Sequence, residues 1–512
     1  MIHPKDNFAF FSVLLINFFY ATLSLAQAGS DADSEIENII VFGRNSELIG
    51  NANTATEGTV GGADLLVRPM LRIAELLEVI PGMVAVQHSG SGKANQYFLR
   101  GFNLDHGTDF TTYVDGVPWN LRSHGHGQGY LDVNGLLPES IERLDYRKGP
   151  YRADVGDFSM AAASFITTID RLENNYIELE TGQYAWSRIA GGLSTEVAGG
   201  TFTGIGELKS YDGPWEKHEG LEHLSIWGKW LKAIPLGNFS VTLSGYEGNW
   251  HPTEQIPERV IGSTVCKDVY CSLDASAGGN TSRWILSSQL VSTDWNASAY
   301  IQRYDWHMQS NPTYDYQINQ FDKRLTLGGR YDKTLIEKDN IELDIGLEFR
   351  HDDIGPVGVE HQNTGVFVSD IANNEITETS LGLYAEAAWF VTDDLRLFTG
   401  LRGEHYDFNV DQISIGSSSG DKSDTIASPK AGLAYTLNNN IEFYGSWGKG
   451  FHSNDARGVV NNITPLPGLA AGTGYEAGAR IEYGDLKITA AKWWLNLDSE
   501  LIFVGDSNSV EP

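Results

Sequence analysis

The chain has 512 residues, too many for one ordinary soluble domain, and a formal net charge of -31 with a pI of about 4.7 argues against a nucleic-acid partner. Glycine (56), tyrosine (22) and tryptophan (13) are abundant, cysteine is limited to 2, and a mean hydropathy of -0.26 excludes a polytopic helical membrane protein. This balance fits an outer-membrane β-barrel; a secreted soluble β-protein shares it.

At the N-terminus, Lys5 gives a short positive region and residues 8–25 form an apolar run broken by Asn17 and small hydroxyl residues. Ala26-Gln27-Ala28 follows as an A-x-A cleavage site, with polar, acidic residues directly after it. Residues 1–28 therefore read as a removed signal peptide rather than a transmembrane anchor. The mature chain then starts near Gly29, in the periplasm of a double-membraned bacterium. Residues 29–50 read as a polar arm carrying one short apolar strand former, Ile39-Ile40-Val41-Phe42-Gly43. An exposed segment of this kind can add a strand to another protein's sheet edge; the alternative is the first strand of the domain that follows.

Residues 51–62 are a Gly/Thr/Asn-rich loop. Ile73, Leu76, Leu77 and Ile80 stand at helical spacing, Pro81-Gly82 stops the helix, and residues 83–87 alternate as a strand. Residues 96–99 and 111–114 are strand-like, rich in β-branched and aromatic residues. Between them lies a polar loop, 103–109, holding Asp105 and His106, and Asp115-Gly116 then turns the chain. The pattern is a small mixed α/β unit with a polar apex.

The most distinctive stretch is 120–130, NLRSHGHGQGY, in which Gly125, Gly127 and Gly129 alternate with His124, His126 and Gln128. Glycine frees the backbone, so the alternating side chains can converge on one side. With Asp105 and His106 this places three histidines and one carboxylate in two neighbouring loops. Neutral imidazole binds borderline transition metals well, so one reading is a site for a metal ion or metal chelate using His106, His124 and His126. The other is a flexible loop that holds an organic ligand by hydrogen bonds, or holds nothing. No adjacent Ser, Cys or paired Glu completes a catalytic motif, so no enzymatic role is expected.

From Tyr176 the pattern changes to long alternating strands. Residues 239–244 put apolar side chains on one face and hydroxyls on the other. Leu395, Leu397 and Leu401 oppose Arg396, Arg402 and Glu404, and Ile441, Phe443 and Trp447 oppose Glu442, Tyr444 and Ser446. This is the lipid-out, polar-in dyad of a membrane barrel, which a soluble sandwich or propeller also mimics. Strands of about 10 residues are long enough to span, and turns at 392–394 and 438–440 alternate with longer polar loops. Trp227, Trp230, Trp295, Trp389 and Trp493 sit near strand ends, as interfacial girdles do, and Lys487 is expected to face the lumen. The long loop 250–280 contains Cys266 and Cys271, which read as a disulfide in an oxidising compartment. Asp352, Asp353, His361, His405 and Asp407 are further polar candidates, most of them ordinary solvated charge.

Several motifs resemble those of TonB-dependent outer-membrane receptors. Arg100-Gly101-Phe102 after one strand and Asp115-Gly116-Val117-Pro118 after the next resemble the family's plug, as do Leu76-Leu77-Glu78-Val79-Ile80-Pro81-Gly82 and the run from Ile141 to Gly149-Pro150. Gly448-Lys449-Gly450-Phe451 resembles the barrel's Gly-x-Gly-Phe signature, and a His-Ser-Asn-Asp-Ala-Arg extension follows at 452–457. Ile39-Ile40-Val41-Phe42-Gly43 is similar to the TonB box, with Phe42 where the family more often has Thr. Met160-Ala161-Ala162-Ala163 departs from the family's Gly-rich stretch, although alanine still allows close packing.

The resemblance implies a mainly β fold: a transmembrane antiparallel β-barrel over 171–512 behind an N-terminal α/β plug domain over 51–170. About fifteen strands are legible where a plugged barrel of this type has about 22, so a C-terminally incomplete barrel is expected. The implied activity is energy-coupled uptake of a scarce ligand: a ferric siderophore, another metal chelate, a metal ion or an organic nutrient. The implied partners are TonB with inner-membrane ExbB and ExbD, outer-membrane lipid and the extracellular ligand. Asp105, His106, His124, His126 and Gln128 are the ligand-binding candidates at the plug apex. Arg100, Arg143 or Arg147 is expected to pair with Glu386 or Glu404, latching plug to barrel. A passive channel, a non-transporting receptor and an inactive fragment are the competing readings.

Overall fold

The structure, a computed structural model, describes residues 49–50, 55–498, 502–504 and 509–511, apart from 69, 71, 89, 252–253, 312–313, 315 and 415–418. The proposed signal peptide and the Ile39–Gly43 segment lie outside the described residues.

The N-terminal unit is built on a five-stranded sheet, ordered Glu57–Gly61, Ile141–Lys148, Ala162–Thr168, Phe110–Val114 and Val117–Pro118. The pairing of Ala162–Thr168 with Phe110–Val114 is parallel, and the other pairings are antiparallel. The expected helix near Ile73 is present as a 3₁₀ helix, Ile73–Val79, which buries Leu76, Leu77 and Val79. A small second sheet joins Val84–Val86, Gln96–Leu99 and Phe102–Asn103. Leu76, Leu77, Tyr97, Phe110, Leu131 and Leu144 share one buried apolar core. Gly62 is required where it stands: a Cβ there would lie 2.2 Å from the Ile141 carbonyl oxygen.

Fifteen antiparallel strands follow as a single meander from Tyr176–Thr181 to Leu486–Leu497, each hydrogen-bonded to its sequence neighbour. Among the described residues the first and last strands are not paired with each other. One end of the sheet is closed by turns such as 235–236, 339–340 and 439–440, and the other carries longer connections such as 251–277 and 454–468. The expected alternation holds along the strands. Ser240, Thr242, Arg396, Arg402, Glu404, Glu442 and Tyr444 are buried on the inner face, whereas Leu243, Leu401 and Phe443 are exposed on the outer one. Such a sheet presents apolar side chains to lipid and keeps charge within.

Two of the five tryptophans assigned to outer girdles are exceptions. Trp227 shares the inner face with buried Lys229 and packs on Leu137 and Ile205, because the period of two places 227 and 229 together. Trp493 turns inward against Phe102 and the Arg100 guanidinium. Lys487 lines a cavity of about 540 Å³ with Arg100, Lys148 and Trp493.

The N-terminal unit fills the concave side of the sheet. Inner-face arginines reach it from the second strand to the fourteenth: Arg188 bonds Glu139, Arg283 the Asp132 carbonyl, Arg350 the Asn120 carbonyl and Arg480 the Ala55 carbonyl. The Met160-Ala161-Ala162-Ala163 departure has a packing explanation. The three alanines are buried, and the Met160 thioether occupies the space that a Cβ on Gly450 or Gly472 would take.

Candidate functional site

Residues 120–130 form a loop cinched at its base, since Asn120–Leu121 pairs with Tyr130–Leu131. The Asn120 side chain ties this loop to its neighbour. Its Nδ2 donates to the carbonyls of Gly107 (3.1 Å), Phe110 (2.8 Å) and Gly129 (3.1 Å), and its Oδ1 accepts from the Thr112 amide (3.0 Å). Gly107 (φ 134°) has no room for a side chain: a Cβ would lie 2.5 Å from the Gly129 oxygen. The 103–109 and 120–130 loops thus form one apex, at the long-connection end of the sheet.

The three histidines part company there. His106 Nδ1 lies 3.0 Å from the Asn95 carbonyl and its Nε2 lies 3.1 Å from His126 Nε2. His126 Nδ1 lies 3.0 Å from Gln320 Oε1 on the sheet, and Gln320 Nε2 donates to the Gly125 carbonyl at 3.0 Å. Burial, followed by the charge of nearby Lys93, holds the His106 pKa well below the ordinary histidine value. His124 turns the other way: it stacks on Tyr130 (3.9 Å between ring centroids) beside Trp306, and its Nδ1 accepts from the His126 amide at 3.1 Å. Its pKa is also held low, by burial first and then by Arg324. Asp105 is one-third exposed, with its carboxylate 3.8 Å from His106 Nε2. Among the described residues no three His, Cys, Asp or Glu side chains are grouped to hold a metal ion, so the three-histidine set is not assembled.

Gln128 and its neighbours lock onto the extension at 452–457. Gln128 Nε2 donates to Asn454 Oδ1 (2.8 Å) and its Oε1 accepts from the Asp455 amide (3.0 Å). Ser123 Oγ accepts from the Ala456 amide (2.7 Å) and donates to Glu378. Arg457 pairs with Asp455 (2.7 Å) and bonds the His124 carbonyl. His452 Nδ1 lies 2.9 Å from Asp109, and Asp157 accepts from the Ser453 amide (2.7 Å) and hydroxyl (2.6 Å). Arg122 reaches Ser380 and Tyr406, and Arg324 holds the carbonyls of Arg122 and Ser123. The two stretches that stand out in the sequence are therefore each other's partners.

The latch pairings expected from the sequence are corrected by this geometry. Arg100 pairs with Glu476, while Arg143 and Arg147 stay within the N-terminal unit on Asp145 and Asp154. Glu386 takes Arg152 instead, and Glu404 takes Arg402 beside it. Cys266 and Cys271 form a disulfide in the long loop. Asp352 is fully buried between Arg350 and Arg324, whereas Asp353 and His405 are exposed and His361 packs on Tyr316. Sequence reasoning missed Arg122, Asp157, Arg324, Arg350 and Glu378. A signal for part of this set was present: Asp322-x-Arg324, Arg330-x-Asp332, Arg350-x-Asp352 and Arg402-x-Glu404 all pair at a spacing of two, which puts both groups on the inner face of one strand.

Residues 227–511 match the model of the TonB-dependent receptor-like β-barrel, and residues 51–163 match that of the TonB-dependent receptor plug domain. No curated protein matches the chain. Among solved structures, the ferric yersiniabactin uptake receptor FyuA from Yersinia pestis is similar at 17% identity and TM-score 0.69, over 87% of this chain and 73% of that one. The ferric citrate transporter FecA in its unliganded form is similar at 14% identity and TM-score 0.74, over 87% and 70%. The copper transporter OprC is similar at 15% identity and TM-score 0.67, over 87% and 72%. At these identities the likeness is one of fold.

Proposed function

This chain belongs to the TonB-dependent receptor family of the bacterial outer membrane, and from that premise we propose that it imports a scarce ligand, a metal chelate such as a ferric siderophore or a metal ion, in an energy-coupled step. In this reading residues 51–170 are the plug and 171–512 the barrel. Ile39-Ile40-Val41-Phe42-Gly43 is the TonB box, and TonB with ExbB and ExbD supplies the pull. The ligand meets Asp105, His106, His126 and Gln128 at the outward end. The similar structures named for ferric chelates and copper support a metal-bearing cargo.

The observation that carries the proposal is the character of the plug–barrel contact at the apex. It is made of hydrogen bonds, Gln128 to Asn454 and Asp455, Ser123 to Ala456, and Arg324 to the 122–123 carbonyls. Polar contacts of this kind exchange with water at modest net cost, so a ligand or a pull can release the apex without dissolving the plug core.

The test is uptake by cells of three probes, zinc, copper(II) and a ferric siderophore, with and without residues 39–43. Loss of uptake of at least one probe with surface binding retained is the expected result. Equal uptake by the deleted form, or uptake that survives collapse of the inner-membrane proton gradient, would overturn the proposal.

A further inference from the structure

We infer that His106 and His126 form a two-imidazole half-site for a borderline divalent transition-metal ion, zinc or copper(II), whose remaining ligands come from a chelator or from water. The inference deepens the import reading, on which it rests for the claim that the metal is cargo.

The argument is one of donors and acceptors. His106 Nδ1 faces a carbonyl oxygen, that of Asn95, at 3.0 Å, so that nitrogen carries the hydrogen. His126 Nδ1 faces Gln320 Oε1 at 3.0 Å, and the orientation of that amide is settled by its own Nε2 donating to the Gly125 carbonyl. Each neutral ring is thereby in the Nδ1–H tautomer, and each Nε2 presents a lone pair. The two lone pairs meet at an Nε2–Nε2 distance of 3.1 Å. Metal–imidazole bonds of about 2.0–2.1 Å set two nitrogens about 2.9 Å apart at a right angle and about 3.4 Å apart at the tetrahedral angle. The observed distance lies between these limits.

The surroundings narrow the cation. A carbonyl or carboxamide oxygen on the far nitrogen is the arrangement that orients metal-binding histidines and raises their basicity. The Lys93 ammonium, which lies 3.0 Å from His88 Nε2 beside this pair, opposes any cation held by charge alone. A hard ion such as magnesium, which prefers oxygen ligands, is therefore disfavoured relative to one that forms coordinate bonds to nitrogen. Asp105, one-third exposed with its carboxylate 3.8 Å from His106 Nε2, marks the more open side of the pair. His124 is outside the site, with its ring face covered by Tyr130.

The experiment is titration of the purified receptor in detergent with zinc chloride and copper sulfate, joined to X-ray absorption of the loaded protein. One ion per chain with two imidazole nitrogens in the first coordination sphere is expected. His106→Gln and His126→Gln should each weaken binding tenfold or more, and Gln320→Leu about tenfold through the lost orienting bond. His124→Asn, whose Oδ1 replaces Nδ1 as acceptor for the His126 amide, should leave binding unchanged. Magnesium should not compete. Absence of stoichiometric binding, a spectrum without imidazole, or equal losses in His124→Asn and His126→Gln would overturn the inference. Energy-coupled uptake of a ferric siderophore that persists in the double His106→Gln/His126→Gln variant, without metal binding to the wild type, would defeat the half-site and leave the import reading standing. Metal binding without energy-coupled uptake would do the reverse.

Discussion

The body of the plug and its apex are held by opposite means. The body is a conventional apolar core in which Leu76, Leu77, Tyr97, Phe110 and Leu144 are all but fully buried. The apex is equally buried, yet Ser123, Gln128, Asp455 and Arg457 are polar or charged, and each makes at least one bond that crosses from plug to barrel. An apolar core stabilises in proportion to the area removed from water and has no alternative partner there. A polar contact exchanges with water or ligand at small net cost when both sides are released, but strands a buried group when only one is removed. The difference separates an apolar part with no alternative partner from a polar part whose bonds water can replace.

The comparison breaks most severely at the core. Phe110→Ala should cost about 3–5 kcal/mol of plug stability, seen as protease sensitivity of residues 55–168 while the barrel strands remain protected. Arg457→Met removes one half of a buried pair and should cost roughly 3 kcal/mol, confined to the apex. It would appear as faster hydrogen exchange in 120–130 and 452–460 with the plug core unchanged. Gln128→Leu leaves Asn454 and the Asp455 amide unsatisfied and should loosen the same segments by about 1–3 kcal/mol. Exchange that spreads into 96–114 in either apex variant would show that the two regions are not separable.

The smallest effect sharpens the contrast from the other side. Burial first, and the Arg100 guanidinium second, pull the Lys148 ammonium from an ordinary 10.5 down to about 8. The unfolded chain then holds more protons between those values, so the contribution of Lys148 to plug stability is flat below about pH 8 and rises as pH approaches 10.5. Denaturant unfolding of the plug, followed at several pH values, should show this slope in the wild type and lose it in Lys148→Met.

Much of the fold was legible because its causes are local. Alternation over 239–244 and 395–404 needs only the two-residue period of a strand, and Pro81-Gly82 ends its helix by backbone chemistry alone. The histidine loop was legible as a distinctive polar stretch but not in its geometry. Gly125 passes so close to the Phe321 carbonyl that a Cβ would lie 2.6 Å away, and the backbone threaded there sends His124 to one side and His126 to the other. The Arg100–Glu476 pair joins residues 376 apart, and no local pattern announces such a partner. The Arg-x-acid spacing on inner strand faces was readable, but not that the same arginines also reach plug carbonyls, as Arg324 reaches those of Arg122 and Ser123 and Arg350 that of Asn120.

One flat carboxamide, that of Asn120, bonds backbone in both apical loops at once. The Thr108 hydroxyl adds a bond to the Gln128 carbonyl and the Leu131 amide one to the His106 carbonyl, so neither loop can tilt without dragging its neighbour. Whatever displaces one loop must therefore displace both.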